Sequence, residues 1–315
     1  MPDALRRLTL DDLRPLTSDA LPGPHTPPGP HTLAGPLALS ALAGWNQTAA
    51  DWRRLLLDSP EGCFGIACDG NIVGTVTTTR YGQELGWIGM MLVHPDYRRR
   101  GLATRLMRAA IDHLRAHDVT TIRLDATPQG RPLYERLGFR LDHPWSRTSN
   151  EQAVSLPDGG MSDHQPVAEE PEPDRQPALN DSLLAADRLA FGADRSAMLQ
   201  QLAAESRLAC QPSGYAMLRP GRTAWYLGPV FVKDTESAAS LIRPLLASPS
   251  ELAARPEPIL WDVPGDNPSA AILAQTLGFS PIRTLYRMSL SDTSTRPSPA
   301  GQPDRLFAIA DPALG

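Results

Sequence analysis

Apolar positions along the chain change period several times, and each change marks an element. Leu102, Leu106, Ala110 and Leu114 recur every fourth residue, with Ala103, Met107 and Ile111 beside them. That spacing predicts a helix with one buried face, opening near Gly101. Shorter apolar runs bounded by turn residues predict strands over 63–67, 72–80, 85–93 and 121–126. Asp69-Gly70-Asn71 and Tyr81-Gly82-Gln83 are the turns between the first three. Thr48, with Asp51 three residues on, reads as the capping-box start of an earlier helix.

The same order of elements returns later in the chain. Gly192 precedes Asp194, which reads as the N-cap of a helix running to about Arg207, and strands follow over 215–219 and 224–232. Asp194 and Arg195 could face a ligand, but a helix cap and a surface arginine account for them equally. Both halves then pass through a helix and a strand to a Leu-Gly-Phe triplet, at 137–139 and at 277–279. Val93 and Val232, which end corresponding strands, are 139 residues apart, and Gly138 and Gly278 are 140 apart. Matching order and spacing predict two copies of one α/β (α+β) domain. The expected division is 1–150, a Pro/Glu-rich linker over 151–177, and 178–315. Two further low-complexity stretches occupy 22–36, where Pro-Gly-Pro-His-Thr is repeated, and 291–303.

Composition narrows the classes. The 315 residues are 41% hydrophobic and 21% charged, which excludes a wholly disordered chain. A net charge of −5, with Lys233 the only lysine, gives no basic footprint for nucleic acid. Three cysteines cannot form a disulfide framework, and Cys63 and Cys68 read as half-buried thiols in a reducing compartment. No stretch approaches the 18 or more apolar residues of a membrane helix, so a soluble, cytoplasmic protein without a membrane partner is expected. His25 and His31 sit in the Pro-rich repeat without nearby cysteines, so no metal is expected there.

The segment 91–104 carries the most chemistry. An apolar strand ends at Met91, Leu92 and Val93, and Arg98, Arg99 and Arg100 then lead into Gly101 and the helix. A loop that delivers unpaired N–H groups to a helix start favours anions, because free donors and helix dipole act together. Gly101 and Ala103 leave the backbone open to a pyrophosphate. An ordinary strand-to-helix turn with a solvated basic face is the plainer alternative.

Arg98-x-x-Gly101-x-Ala103, between a strand and a helix, resembles the acyl-CoA pyrophosphate motif of the GNAT N-acetyltransferase superfamily. Leu133-Tyr134-Glu135-Arg136-Leu137-Gly138-Phe139 resembles a second motif of that family. The resemblance covers most of 1–150 and implies tandem GNAT folds, each a mixed, mostly antiparallel sheet flanked by helices. It implies acetyl-CoA as cosubstrate and a small-molecule or peptide amine as acceptor, which attacks the thioester directly.

Residue by residue, the resemblance places the pantetheine arm against backbone groups of Met91, Leu92 and Val93, in a slot between splayed strands. It places the pyrophosphate on the loop Arg98, Arg99, Arg100, Gly101, Leu102, Ala103 and Thr104. Tyr134 becomes the acid that protonates the departing thiolate. Thr127, followed by Pro128, stands where many members have asparagine. Trp45, Asn46 and Gln47 border the acceptor pocket. For the base, Asp125 and Glu84 remain open, with Asp125 the better positioned. A non-catalytic acyl-CoA sensor on the same scaffold is the alternative function, and the oligomeric state stays open.

The second half resembles the C-terminal domain of two-domain YitH-type acetyltransferases. Ala274 stands where the first half has Tyr134, and Asp234 and Glu236 place negative charge where a pyrophosphate would sit. At about 4 Å and an effective dielectric near 20, one like-charge contact costs roughly 4 kcal/mol. Catalysis is therefore expected in the first half alone, with the second half completing or shielding the acceptor pocket or docking a protein.

Overall fold

The computed structural model describes residues 4–13, 35–150, 178–247, 257–291 and 301–315. The expected linker over 151–177, the repeat with His25 and His31, and most of 291–303 lie outside the described residues.

The first half runs β1 (Ala4–Arg7), α1 (Pro36–Leu42), α2 (Ala49–Asp58), β2 (Phe64–Cys68), β3 (Asn71–Tyr81), β4 (Leu85–Val93), α3 (Leu102–Arg115), β5 (Thr121–Ala126), α4 (Arg131–Arg136) and β6 (Arg140–Asn150). Thr48 starts α2 as the sequence predicts. Its N–H donates to the Asp51 carboxylate at 2.7 Å, while its hydroxyl accepts from the Asp51 N–H at 3.3 Å. The β2–β3 turn takes left-handed angles at Asp69 and Gly70, φ 47° and 81°, which suit a tight hairpin. The face of α3 predicted from the fourfold spacing is the one buried, with Leu106, Met107, Ala110 and Leu114 fully enclosed over β3 and β4.

The second half repeats the series as α5 (Asp181–Phe191), α6 (Ser196–Ala204), β7 (Arg207–Gln211), β8 (Gly214–Pro220), β9 (Trp225–Phe231), α7 (Thr235–Leu246), β10 (Ile259–Val263), α8 (Pro268–Thr276), β11 (Ser280–Ser291) and a short β12 (Leu306–Ala308). The helix expected to reach Arg207 stops at Ala204 instead. Residues from Arg207 pair antiparallel with β8, Arg207 opposite Leu218, and the backbone finds its hydrogen bonds there. The N-cap of α6 is Arg195 rather than Asp194, which stands one residue earlier and accepts from the Ser196 N–H at 3.0 Å. Arg195 is not a surface residue. It is 2% exposed, pairs with Asp187 through two 2.9 Å hydrogen bonds and lies over the Phe191 ring.

The described strands form one mixed, mostly antiparallel sheet, in the order β1-β2-β3-β4-β5-β11-β6-β10-β9-β8-β7, with β12 on β9. Its centre is an exchange. β5 of the first half pairs with β11 of the second, Tyr286 opposite Ala126, and β10 pairs with β6, Trp261 opposite Thr148. The two exchanged strands also pair with each other, Leu285 opposite Trp145. Each half is closed by a strand of the other, β11 on β5 and β6 on β10.

Packing ties the halves again on one face of the sheet. Trp52 and Leu55 of α2 share a core with Tyr81, Phe191, Leu199, Leu202 and Tyr215. Residues 309–315 run back from β12 into the first half. Tyr81 Oη donates to the Leu314 carbonyl at 2.7 Å, Trp87 Nε1 to the Pro312 carbonyl at 3.0 Å, and Arg195 to the Gly315 carbonyl at 3.3 Å. Gly89 permits this approach, since a Cβ there would lie 2.8 Å from Ala313. Cys63 is fully buried rather than half-buried, Cys68 is partly exposed, and none of the three cysteines is in a disulfide.

Candidate active site

The β3–β4 ladder slips by one residue between Thr75 and Thr77, which face Leu92 and Gly89. Met90, at the bulge, takes φ 50°, and its carbonyl accepts from Thr75 Oγ1 at 2.8 Å. A bulge bends its strand and re-aims the groups beyond it. On its other edge β4 pairs with β5 in parallel only from Leu85 to Trp87, opposite Thr121 to Arg123. Past that point the strands diverge, and the edge of β4 from Ile88 to Val93 has no β5 partner.

A cavity of about 700 Å³ fills the gap. Met91, Leu92 and Val93 line it, with Leu124 of β5 facing them. At one end it reaches Arg98 and Ala103. Gly101 opens α3 at φ 77°, a left-handed angle suited to glycine, and no side chain caps the helix. Arg98 donates to the Val93 carbonyl at 3.2 Å and has no carboxylate partner among the described residues. Tyr134, on α4, borders the cavity with its ring 3.0 Å from where a Cβ of Gly130 would stand. Burial raises its phenol above the usual range, so it stays protonated and can donate. At the other end lie Trp45, Gln47, Arg147, Arg283, Leu285, Pro312 and Ala313.

The cavity thus brings together Trp45, Gln47, Met91, Leu92, Val93, Arg98, Ala103, Asp125, Thr127 and Tyr134 among the residues expected from sequence. Several expected residues do not line it. Glu84 sits exposed in the β3–β4 turn, before the paired start of β4, and is not among the residues that line the cavity. Asn46 is turned away: its Oδ1 accepts from the N–H groups of Thr223 and Ala224 at 2.9 and 3.0 Å, so it joins the two halves. Leu102 packs in the core under α3. Arg99, Arg100, Gly101 and Thr104 flank the mouth, with Arg100 folded over the Tyr97 ring and donating to the Asp96 carbonyl at 3.2 Å.

Asp125 does line the cavity, but both of its oxygens are taken. Arg287 of β11 donates to them at 3.1 and 3.0 Å, and the Asp125 side chain is 0% exposed. Asp125, one of the two candidate bases expected from sequence, is thus found in a held ion pair with Arg287. Sequence reasoning also missed Arg147, Arg283, Leu285, Pro312 and Ala313. These residues come from the exchanged strands and from the returning segment.

The second half has no matching cradle at the corresponding helix. Asp234 caps α7 by accepting from the Ser237 N–H at 2.8 Å, and Ala274 is buried where α4 has Tyr134.

An opened sheet beside an uncapped, arginine-flanked helix start defines a scaffold of the acyl-CoA-dependent transferase class. Comparison with known proteins agrees. Residues 35–139 match the acetyltransferase (GNAT) family model, and 183–302 match an acetyltransferase (GNAT) domain model. The uncharacterized N-acetyltransferase YitH of Bacillus subtilis is 29% identical over 256 residues, spanning 77% of this chain and 83% of that protein. A putative acetyltransferase from Pyrococcus horikoshii superposes with a TM-score of 0.73 at 22% identity, over 99% of this chain and 96% of that one. A tandem GNAT protein from the clavulanic acid biosynthesis pathway superposes at 0.52 and 15% identity, over 93% and 100%. The chain belongs to the GNAT acetyltransferase superfamily, with a GNAT domain in each half, and is an acetyl-CoA-dependent N-acetyltransferase in the general sense of that family.

Proposed function

We propose that acetyl transfer takes place in the cavity between β4 and β5 of the first half, by direct attack of an amine on acetyl-CoA within a ternary complex. One observation carries this reading: a continuous slot joins the uncapped start of α3 to Tyr134 along the unpaired edge of β4.

The uncapped N–H groups at Leu102, Ala103 and Thr104, with Arg98 beside them, suit the diphosphate of the cosubstrate. The free edge of β4 offers main-chain groups to the pantetheine arm and an N–H to the thioester carbonyl. Removing one such donor in oxyanion sites costs about 100- to 1000-fold in turnover. As the neutral amine's nitrogen bonds to the carbonyl carbon and the C–S bond breaks, Tyr134 gives its proton to the departing thiolate. The proton that the nitrogen sheds as the amide forms passes back to the tyrosine oxygen, so the products are amide and neutral thiol. Asp125 enters as the anchor of Arg287, which ties β11 beside the slot. The second half supplies the far wall of the acceptor pocket.

Thiol release from acetyl-CoA against a panel of amines, alongside calorimetric titration of acetyl-CoA, tests the reading. Binding with turnover of at least one amine supports it. Tight binding with no thiol released by any amine makes the cavity a sensor instead.

A further inference from the structure

Four charged residues line the cavity: Arg98, Asp125, Arg147 and Arg283. Two are neutralised by partners behind the wall. Asp125 is held by Arg287, and Arg147 donates to both oxygens of Asp262 at 2.7 and 2.5 Å. Arg283 stands directly across the ladder from Arg147, and neither a carboxylate nor a hydrogen-bond acceptor meets it among the described residues. Asp262, which also attracts Arg283, is held by Arg147, so Arg283, an exposed residue at the cavity's edge, brings a positive charge there without an ion-pair partner of its own among the described residues.

A second group there is also unsatisfied. Gln47 is 8% exposed, and its Nε2 donates to both oxygens of Asp311 at 3.1 and 3.2 Å. That orientation leaves Oε1 buried with no partner. Buried acceptors are seldom left so, and each costs about 1–3 kcal/mol until a donor arrives. The two groups line the same cavity, together with Arg147, the cross-strand neighbour of Arg283. Trp45, Leu285 and Pro312 give this end of the cavity apolar walls. A plain diamine would satisfy Gln47 and leave Arg283 facing a second cation.

We propose that the acceptor is a small amine bearing an oxyanion, a carboxylate or a phosphate, with Arg283 pairing the anion and Gln47 Oε1 accepting a hydrogen bond from the amine nitrogen. This rests on the placement of catalysis in the cavity. Arg283 is thereby a specificity-determining residue, supplied to the first half's site by the second half's exchanged strand.

Matched acceptors test it: an α-amino acid against its carboxamide, and glucosamine against glucosamine 6-phosphate, with spermidine as a cationic control. Thiol release from acetyl-CoA is followed for the wild type, Arg283→Gln and Arg283→Lys. The expected result is a KM lower by about tenfold or more for the anionic member of at least one pair, the size of one charge-assisted contact. Whether the amino acid or the phosphosugar shows the gap identifies the oxyanion. Arg283→Gln removes the gap by raising the anionic member's KM, Arg283→Lys restores part of it, and calorimetric acetyl-CoA affinity stays at the wild-type value in both. Equal use of charged and neutral members, a preference for spermidine, or an unchanged gap in Arg283→Gln overturns the inference alone. Failure to bind acetyl-CoA, or binding with no amine turned over, overturns the placement of catalysis beneath it.

Discussion

Arg287, on the strand that the second half lends, holds both carboxylate oxygens of Asp125 on the first half's β5, at 3.1 and 3.0 Å. The pair is buried, and the Arg287 guanidinium also lies 4.7 Å from the Trp87 ring centre. Removing one partner of a buried pair leaves the other charged and desolvated, which costs about 3–5 kcal/mol. Arg287→Met is expected to lose that much in urea denaturation. A midpoint equal to that of the wild type would show that the pair does not hold β5 against β11.

Tyr134→Phe removes the phenol hydroxyl and keeps the ring that packs against Phe139. Turnover is expected to fall by about 100-fold or more, the usual share of a positioned acid. Calorimetric affinity for acetyl-CoA should hardly change. A variant that releases thiol at the wild-type rate would move the proton donor elsewhere.

Gly101 occupies φ 77° at the mouth of the slot, with open space where a Cβ would point. Gly101→Glu should cost roughly 1–2 kcal/mol of stability, for a side chain in the left-handed region, and abolish acetyl-CoA binding by setting a carboxylate against the diphosphate. Asp234→Asn, at the matching turn of the second half, should leave that affinity unaltered. Loss of binding in Asp234→Asn would reveal a second cosubstrate site.

Gly89 lies against Ala313, and the segment 309–315 walls the acceptor end. Gly89→Val cannot be accommodated without moving that segment. The expected kinetic signature is a KM for the amine raised about tenfold or more, the scale of one lost set of contacts, with a smaller change in acetyl-CoA affinity. A fall in acetyl-CoA affinity with an unchanged amine KM would place the segment at the other end.

Burial pushes the imidazole pKa of His94, His113 and His143 below its ordinary value. In the unfolded chain these groups take up protons near pH 6.5, whereas the folded chain resists protonation until a lower pH. Stability from this source is therefore complete above about pH 6.5 and is lost as the pH falls through the folded values. Melting temperature should drop between pH 7.5 and 5.5, and His113→Asn should make the drop shallower. An identical slope in the variant would assign the pH dependence to other groups.

Much of the first half was legible in the sequence because its signals are local. The fourfold stripe of α3, the Thr48–Asp51 box and the bounds of β4 and β5 depend on residues a turn or less apart, and the structure places them as read. The exchange of β6 and β11 was not legible, since alternation fixes which face of a strand is buried but not which edge it joins. Arg195 looked like a surface residue because its partner Asp187 stands eight residues earlier, on a separate helix. The candidate site divides in the same way. Its lining from Met91 to Ala103 comes from one contiguous segment, while Gln47, Arg147, Arg283 and Ala313 are brought to it only by the folded chain.

The traded strands also bear on what duplication has left behind. Taken alone, the first 150 residues would have to turn β5 and β6 into some other ladder or present bare sheet edges to their neighbours, an invitation to aggregate. Deleting the second half would take Arg283 and the Arg287 anchor of Asp125 away from the cavity between β4 and β5. Excising it would open the shared sheet at its centre rather than trim an appendage.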